Sequence, residues 1–400
     1  MSTAHAAHER SNVLILAVSQ ALFLIAAVTV MTLSGVVGAG LAPTAGLATL
    51  PVAAMMVGTV VTTLPASLFM KRVGRRLGFL VGTLVGGAAG AAVATAGVAV
   101  ESFWLFTFGN LLLGVYQAFA MYYRFAAADV ASEAFRPRAI SLVMAGGVVA
   151  AFVGPWNAHL SQGMLLPGVP EAGPYAVLTG LALVAAFLVG YLKVPSVGEA
   201  TGGEQRPLPR IVSQPAFVVA LLAAAVGYAV MILVMTATPL AMREAGFGMD
   251  QAAFVMQWHV LGMFAPSFFT GGLIARFGVL RILQTGAALL VVSALTAVAG
   301  ETLTHFWTAL VLLGVGWNFL FIGGSNLLTT THTPAERGKV QGVNDLTVFG
   351  LVAAGSLLAG LLLHQLDWVG LNLFVLPFVL LTAAATFWLQ RSASRHTARD

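Results

Sequence analysis

The stretch KVPSVGEATGGEQRPLPRIVSQP, residues 193–215, is the one long polar segment inside an otherwise apolar chain. Its proline, glycine and charge content is that of a linker rather than of a packed element. On its N-terminal side, apolar runs of about 20 residues, the length that crosses a ~30 Å hydrocarbon core, fall near 12–33, 44–66, 77–97, 102–123, 138–160 and 174–193. On its C-terminal side they fall near 214–238, 250–274, 278–298, 304–329, 339–364 and 367–389. The sequence therefore predicts an all-α membrane protein with twelve transmembrane helices. The expected divisions are a six-helix bundle over 1–193, a cytoplasmic linker over 194–213 and a second six-helix bundle over 214–400.

Composition supports this division. The 400 residues are 59% hydrophobic and 8% charged, with 44 glycines and a mean hydropathy of +0.93. A soluble chain of this length needs far more charge to coat its surface, whereas lipid-facing helices need almost none. Cysteine is absent, which excludes a disulfide framework, a thiolate metal site and a catalytic thiol. The net charge of +5 is a matter of placement rather than of a nucleic-acid partner. With the N-terminus inside, 18 of the 19 Lys and Arg residues fall on inner segments, and Arg243 alone lies outside. The expectation is a multi-pass protein of the bacterial inner (plasma) membrane with both termini cytoplasmic. The opening MSTAHAAHERS leads into the first apolar run without an A-x-A type cleavage site, so that run is read as a retained helix.

The two halves repeat weakly. SLFMKRVGRR (67–76) follows the second span and GGLIARFGVLR (271–281) the eighth, each a basic loop turning on a glycine, Gly74 or Gly278. FRPRAIS (135–141) follows the fourth span and ERGKVQG (336–342) the tenth. Parallel repeats of this kind place a substrate path near mid-membrane. The first loop resembles the signature loop of the major facilitator superfamily, roughly G-x-x-x-D-R-x-G-R-R, matching it at Arg72, Gly74, Arg75 and Arg76. Ser67 stands in place of its first glycine and Lys71 in place of its acid; the second copy keeps Gly271, Arg276 and Gly278 but has Ala275 at the acidic position. The resemblance implies a twelve-helix transporter working by alternating access, with a charge network on the cytoplasmic side.

Cargo is read from residues 231–263, MILVMTATPLAMREAGFGMDQAAFVMQWHVLGM, which hold six of the fourteen methionines. Met231 and Met235 share one face of the seventh span, and His259 and Met263 share one face of the eighth. Thioether sulfur and imidazole nitrogen suit a soft monovalent ion such as Cu(I). The plainer reading is that methionine fills apolar gaps, but an ionisable histidine at membrane depth points to function. Met256, three residues before His259, is a possible accessory donor. If the two spans face each other, Met231 and His259 lie at one level. Within the superfamily this pair of motifs resembles the CcoA-type bacterial copper importers. That resemblance implies copper import in support of cbb3-type cytochrome oxidase assembly, with Met231, Met235, His259 and Met263 as ligands.

The expected partners are thus a copper ion, as transported substrate rather than resident cofactor, and the lipid bilayer; no nucleic acid is expected, and the chain is read as a monomer. The alternative is a transporter of an organic solute such as a drug, vitamin or siderophore, supported by the aromatics Tyr116, Tyr122, Tyr123 and Trp317. Enzymatic chemistry finds no HExxH, no G-x-S-x-G and no acid–histidine pair within a span. Gating or proton coupling is assigned to Asp345 in span eleven, with Arg124 and Asp129 at the inner end of span four and Arg72 and Arg75 in the signature loop. For Asp345 the plainer reading is an ion pair with Arg337 or Lys339.

Overall fold

The computed structural model describes residues 3–44, 47, 50–163, 168–193 and 205–397, and among them every regular element is a helix. The first six spans are α1 (Thr3–Leu41), α2 (Leu50–Val73), α3 (Arg75–Ala99), α4 (Phe103–Val130), α5 (Arg136–Leu160) and α6 (Ala172–Gly190). After the linker come α7 (Pro215–Glu244), α8 (Met249–Phe264, continued by Ser267–Phe277), α9 (Val279–Ala299) and α10 (Leu303–Leu328). The last apolar segment, Arg337–Ser392, is 56 residues long. At 1.5 Å per residue it extends about 84 Å, far beyond one bilayer. It breaks at Asp367, whose φ of 57° leaves the helical region, and so supplies two crossings: α11 over 337–366 and α12 over 368–397. Among the described residues, eleven apolar helical segments thus furnish the expected twelve spans. Of the expected linker, residues 194–204 lie outside the described residues, and Leu208–Val212 forms a single short helix.

Local sequence explains several boundaries. The loops after α2 and α8 turn on glycines with φ of 89° (Gly74) and 86° (Gly278), a left-handed conformation that costs glycine little and other residues more. Ser102 and Thr302 cap α4 and α10 by accepting from the backbone N–H three residues on, the same device in each half. In α3, residues Gly82–Ala89 widen into a π-helical stretch. A Cβ on Gly86 would come within 2.4 Å of the Tyr116 backbone nitrogen, so this glycine lets α3 pack directly on the backbone of α4.

The chain forms two compact units. The first comprises Met1–Ser132, Val143–Gly203 and Gln341–Leu346; the second comprises Glu133–Leu142, Glu204–Val340 and Thr347–Asp400. In the first, edge-on aromatic pairs such as Phe23–Tyr116, Phe79–Tyr123 and Phe106–Tyr175 fill the interior. A buried Ser34 hydroxyl also joins Asn110 and Tyr175 at 3.0 and 2.8 Å. In the second, Asn318 of α10 pins α8: its Nδ2 donates to the Met263 carbonyl and the Ser267 hydroxyl, both at 2.6 Å, and its Oδ1 accepts from Thr270 at 2.7 Å.

The C-terminal end of the linker is tied down within the second unit. Arg206 donates through Nη2 to Glu336 Oε2 (2.6 Å), through Nε to Oε1 (2.8 Å) and through its backbone N–H to the same Oε1 (2.9 Å). Lys339 Nζ donates to the Arg206 carbonyl. The Arg206 hydrogen bond holds the Glu336 carboxyl well below the usual carboxylate range, against the opposing effect of burial.

Candidate functional site

The second unit contains an aromatic cluster at mid-helix. Trp317 of α10 is 1% exposed. Tyr228 of α7 meets it edge-on at 5.1 Å, Phe264 of α8 at 5.7 Å, and Phe321 one turn along α10 stacks on it at 5.3 Å with an 11° tilt. Phe349 of α11 closes on Tyr228 at 5.8 Å. These rings come from four helices, and Tyr228 remains half-buried. Within this apolar setting the Trp317 Nε1–H has no hydrogen-bond partner, a costly state for a buried donor.

His259 is fully buried on α8, and its Nδ1 lies 2.7 Å from the Leu310 carbonyl of α10. A carbonyl can only accept, so Nδ1 carries the proton and, in the neutral ring, Nε2 presents a bare lone pair; that atom too is buried without a partner. The second unit therefore holds a buried, unpaired donor on α10 and a buried, unpaired acceptor on α8.

Of the four expected metal ligands, Met231 and Met235 lie on α7 and His259 and Met263 on α8; both helices pack mainly on α10 and also touch each other. Gly314 of α10 lies against the His259 carbonyl and the Met263 backbone, while Gly324 of α10 lies against Ala220 and Ala224 of α7. The imidazole is accordingly held by α10. Met231 and Met263 are buried, and Met235 and Met256 are half-buried, as gap-filling methionines are.

The first unit contains a charge cluster. Arg75 donates to Asp129 Oδ2 through Nη2 (3.1 Å) and Nε (3.3 Å), and to Gln341 Oε1 through Nη2 (2.6 Å). Arg124 Nη2 pairs with Asp345 Oδ1 at 2.6 Å, where Asn344 Nδ2 also donates at 2.9 Å. Asp345 Oδ2 is buried and unpaired. The partner of Asp345 is thus Arg124 rather than Arg337 or Lys339. Of the signature-loop arginines named for this cluster, Arg75 turns inward at 5% exposure while Arg72 stays exposed. The missing acid at Lys71 does not abolish the network, because α4 and α11 supply the carboxylates. Sequence reasoning passed over Tyr228, Phe264, Phe321 and Phe349, since isolated aromatics in apolar helices carry no spacing signal until helices are packed.

Helices of membrane-spanning length in two compact units, with buried polar groups at mid-span, define a membrane transporter. The sequence profile of the Major Facilitator Superfamily matches residues 219–399. The riboflavin transporter RfnT of Brucella anthropi is 45% identical over 375 residues, 93% of this chain and 94% of that one. Two solved structures share the fold: the proton:xylose symporter XylE (TM-score 0.77, 12% identity, 97% of this chain and 96% of that one) and the human organic anion transporter MFSD10 (TM-score 0.74, 18% identity, 94% and 99%). The chain belongs to the major facilitator superfamily and is a transporter, not an enzyme. The comparisons favour an organic solute over the more specific resemblance to copper importers, because a relative 45% identical over 93% of this chain is named for riboflavin.

Proposed function

We propose that the chain carries a small organic solute, a planar heterocycle of the flavin class, across the bacterial inner membrane by alternating access. The observation that carries this reading is the partnerless Trp317 Nε1–H within a cage of Tyr228, Phe264, Phe321 and Phe349. Aromatic faces stack on a fused heteroaromatic ring, the indole N–H donates to a ring carbonyl, and the bare His259 Nε2 accepts from a ring N–H. The 45% identity to RfnT supports the same solute class. A cuprous ion has no use for an N–H donor.

In this scheme both termini lie in the cytoplasm, a reading supported by the distribution of Lys and Arg. Asp345 with Arg124, and Asp129 with Arg75, form the coupling network in this scheme, since a carboxylate held by an arginine away from water can alternate between paired and protonated states.

The test is uptake by proteoliposomes of purified protein, comparing labelled riboflavin with Cu(I). Saturable riboflavin uptake that unlabelled riboflavin competes away, with no copper accumulation above empty vesicles, is the expected result. Copper uptake without flavin uptake reverses the assignment.

A further inference from the structure

Outside the proposed transport site, the second unit carries a groove of about 430 Å³ between the start of α5 and the end of α8. Arg138 and Arg276 stand at its rim; Leu142, Phe268 and Phe269 line its inner reach. Both arginines are exposed, and neither has a carboxylate partner among the described residues. Phe268 and Phe269 are 63% and 54% exposed. Along α8 these rings sit seven to eight residues from Arg276, about 11 Å deeper at 1.5 Å per residue. Arg276 itself lies two residues before Gly278 ends the helix. The floor is already satisfied: the Ser141 hydroxyl accepts from the Gly271 N–H at 3.0 Å and donates to the Ser267 carbonyl. Charge at the membrane edge followed by apolar surface toward the midplane follows the profile of a phospholipid, head first and chain after.

We propose that this groove is a binding site for an anionic phospholipid of the leaflet on the basic side of the membrane. Its phosphate sits between the Arg138 and Arg276 guanidiniums, and an acyl chain runs along Leu142, Phe268 and Phe269. Two planar guanidiniums suit phosphate oxygens, and basic pockets between helices at that level select acidic headgroups. A free phosphate uses the rim alone and leaves the aromatic wall uncovered.

Gly272 offers a way to block the groove without touching its charge. It lines the cavity, and a Cβ there meets nothing within 4 Å. The experiment is native mass spectrometry of the full-length protein in micelles doped with phosphatidylglycerol or phosphatidylcholine. The parent retains phosphatidylglycerol in preference to phosphatidylcholine. Arg138→Gln and Arg276→Gln each lower that retention about fivefold, the effect of one surface arginine on an acidic lipid. Gly272→Leu lowers retention with both arginines in place, and excess inorganic phosphate does not displace the lipid. Equal retention of the two lipids by the parent, undiminished phosphatidylglycerol on all three variants, or displacement by inorganic phosphate overturns the proposal.

Discussion

Arg124 and Asp345 form an ion pair sealed inside the first unit, with 2.6 Å between Nη2 and Oδ1 and side-chain exposures of 2% and 0%. The repeat makes the pair one-sided. At the start of α5, the position matching Asp345 is Ser141, whose hydroxyl bonds the backbone of α8 rather than a charge. Leu328 and Ser141 stand at the repeat-related positions, so this ionic contact, which joins α4 of one repeat to α11 of the other, has no counterpart there.

Asp345→Ala leaves the Arg124 guanidinium buried without its carboxylate, which costs on the order of 3–5 kcal/mol. A clear drop in melting temperature and loss of uptake are expected. Arg124→Leu combined with Asp345→Leu recovers much of the stability, because neither charge is stranded, while uptake stays lost. Recovery of both together would make the pair a purely structural contact.

Trp317 separates packing from recognition. Trp317→Ala empties a fully buried ring site and costs roughly 3–5 kcal/mol. Trp317→Phe keeps a ring against Tyr228 and Phe321 but removes the N–H. The expected outcome for Trp317→Phe is a melting temperature near the parent's with a raised KM for riboflavin uptake, measured side by side in proteoliposomes. An unchanged KM removes the indole N–H from recognition.

For the sulfur and imidazole residues, calorimetric titration with Cu(I) in a competing chelator is the direct measurement. Met231→Leu, Met235→Leu and Met263→Leu conserve volume, so each shifts stability by less than about 1.5 kcal/mol. Riboflavin uptake by these variants is expected to match the parent, and the parent is expected to show no saturable copper binding. Tight binding that is lost in Met231→Leu would restore the soft-metal reading.

The Arg206–Glu336 pair gives a pH dependence whose sign follows from the carboxyl. Its value in the folded protein lies below the ordinary 4.5, so the stability it confers is fully present above that pH and is lost as acid protonates the folded state. Between pH 7 and pH 5 the contribution of the pair is full and does not change with pH. Below pH 4.5 the parent loses stability that Glu336→Gln has already lost, so their melting temperatures converge on acidification. Trypsin cleavage after Arg210 should be faster in Glu336→Gln at pH 7, because the linker end is no longer anchored.

Much of the fold was legible because hydrophobic run length is a one-dimensional property, so the spans could be read without any knowledge of packing. The boundary between the eleventh and twelfth runs, read at 364–367, falls at the break at Asp367. Asp345 stood out because a carboxylate in an apolar helix is conspicuous wherever its partner lies. Its partner was not legible. Arg124 is 221 residues away, and the nearby Arg337 and Lys339 were closer in sequence. The same limit explains the metal reading. Helical spacing placed His259 and Met263 on one face, but spacing cannot say which helix that face meets; α10, through Leu310 and Gly314, meets it. Of the aromatic cage only Trp317 was named from the sequence; the rings around it come from four helices and could not be assembled without packing.

The two basic loops make one last comparison possible. Ser67 and Gly342 approach each other in the first unit as Gly271 and Arg138 do in the second, positions related by an offset of about 200 residues, with the glycine on opposite partners. The consequences of adding a methyl group differ. At Gly271 a Cβ comes within 2.4 Å of the Pro137 carbonyl oxygen and 2.6 Å of Arg138 Cα, both backbone atoms that cannot rotate away. At Gly342 the nearest atom is Leu64 Cδ1 at 2.8 Å, the end of a flexible side chain. At Gly272 there is no obstacle, and alanine gains roughly 1 kcal/mol of helix propensity. Thermal melts should therefore rank Gly272→Ala at or above the parent, Gly342→Ala slightly below it and Gly271→Ala lowest. A Gly271→Ala variant as stable as the parent would mean that α5 and α8 do not need this close approach.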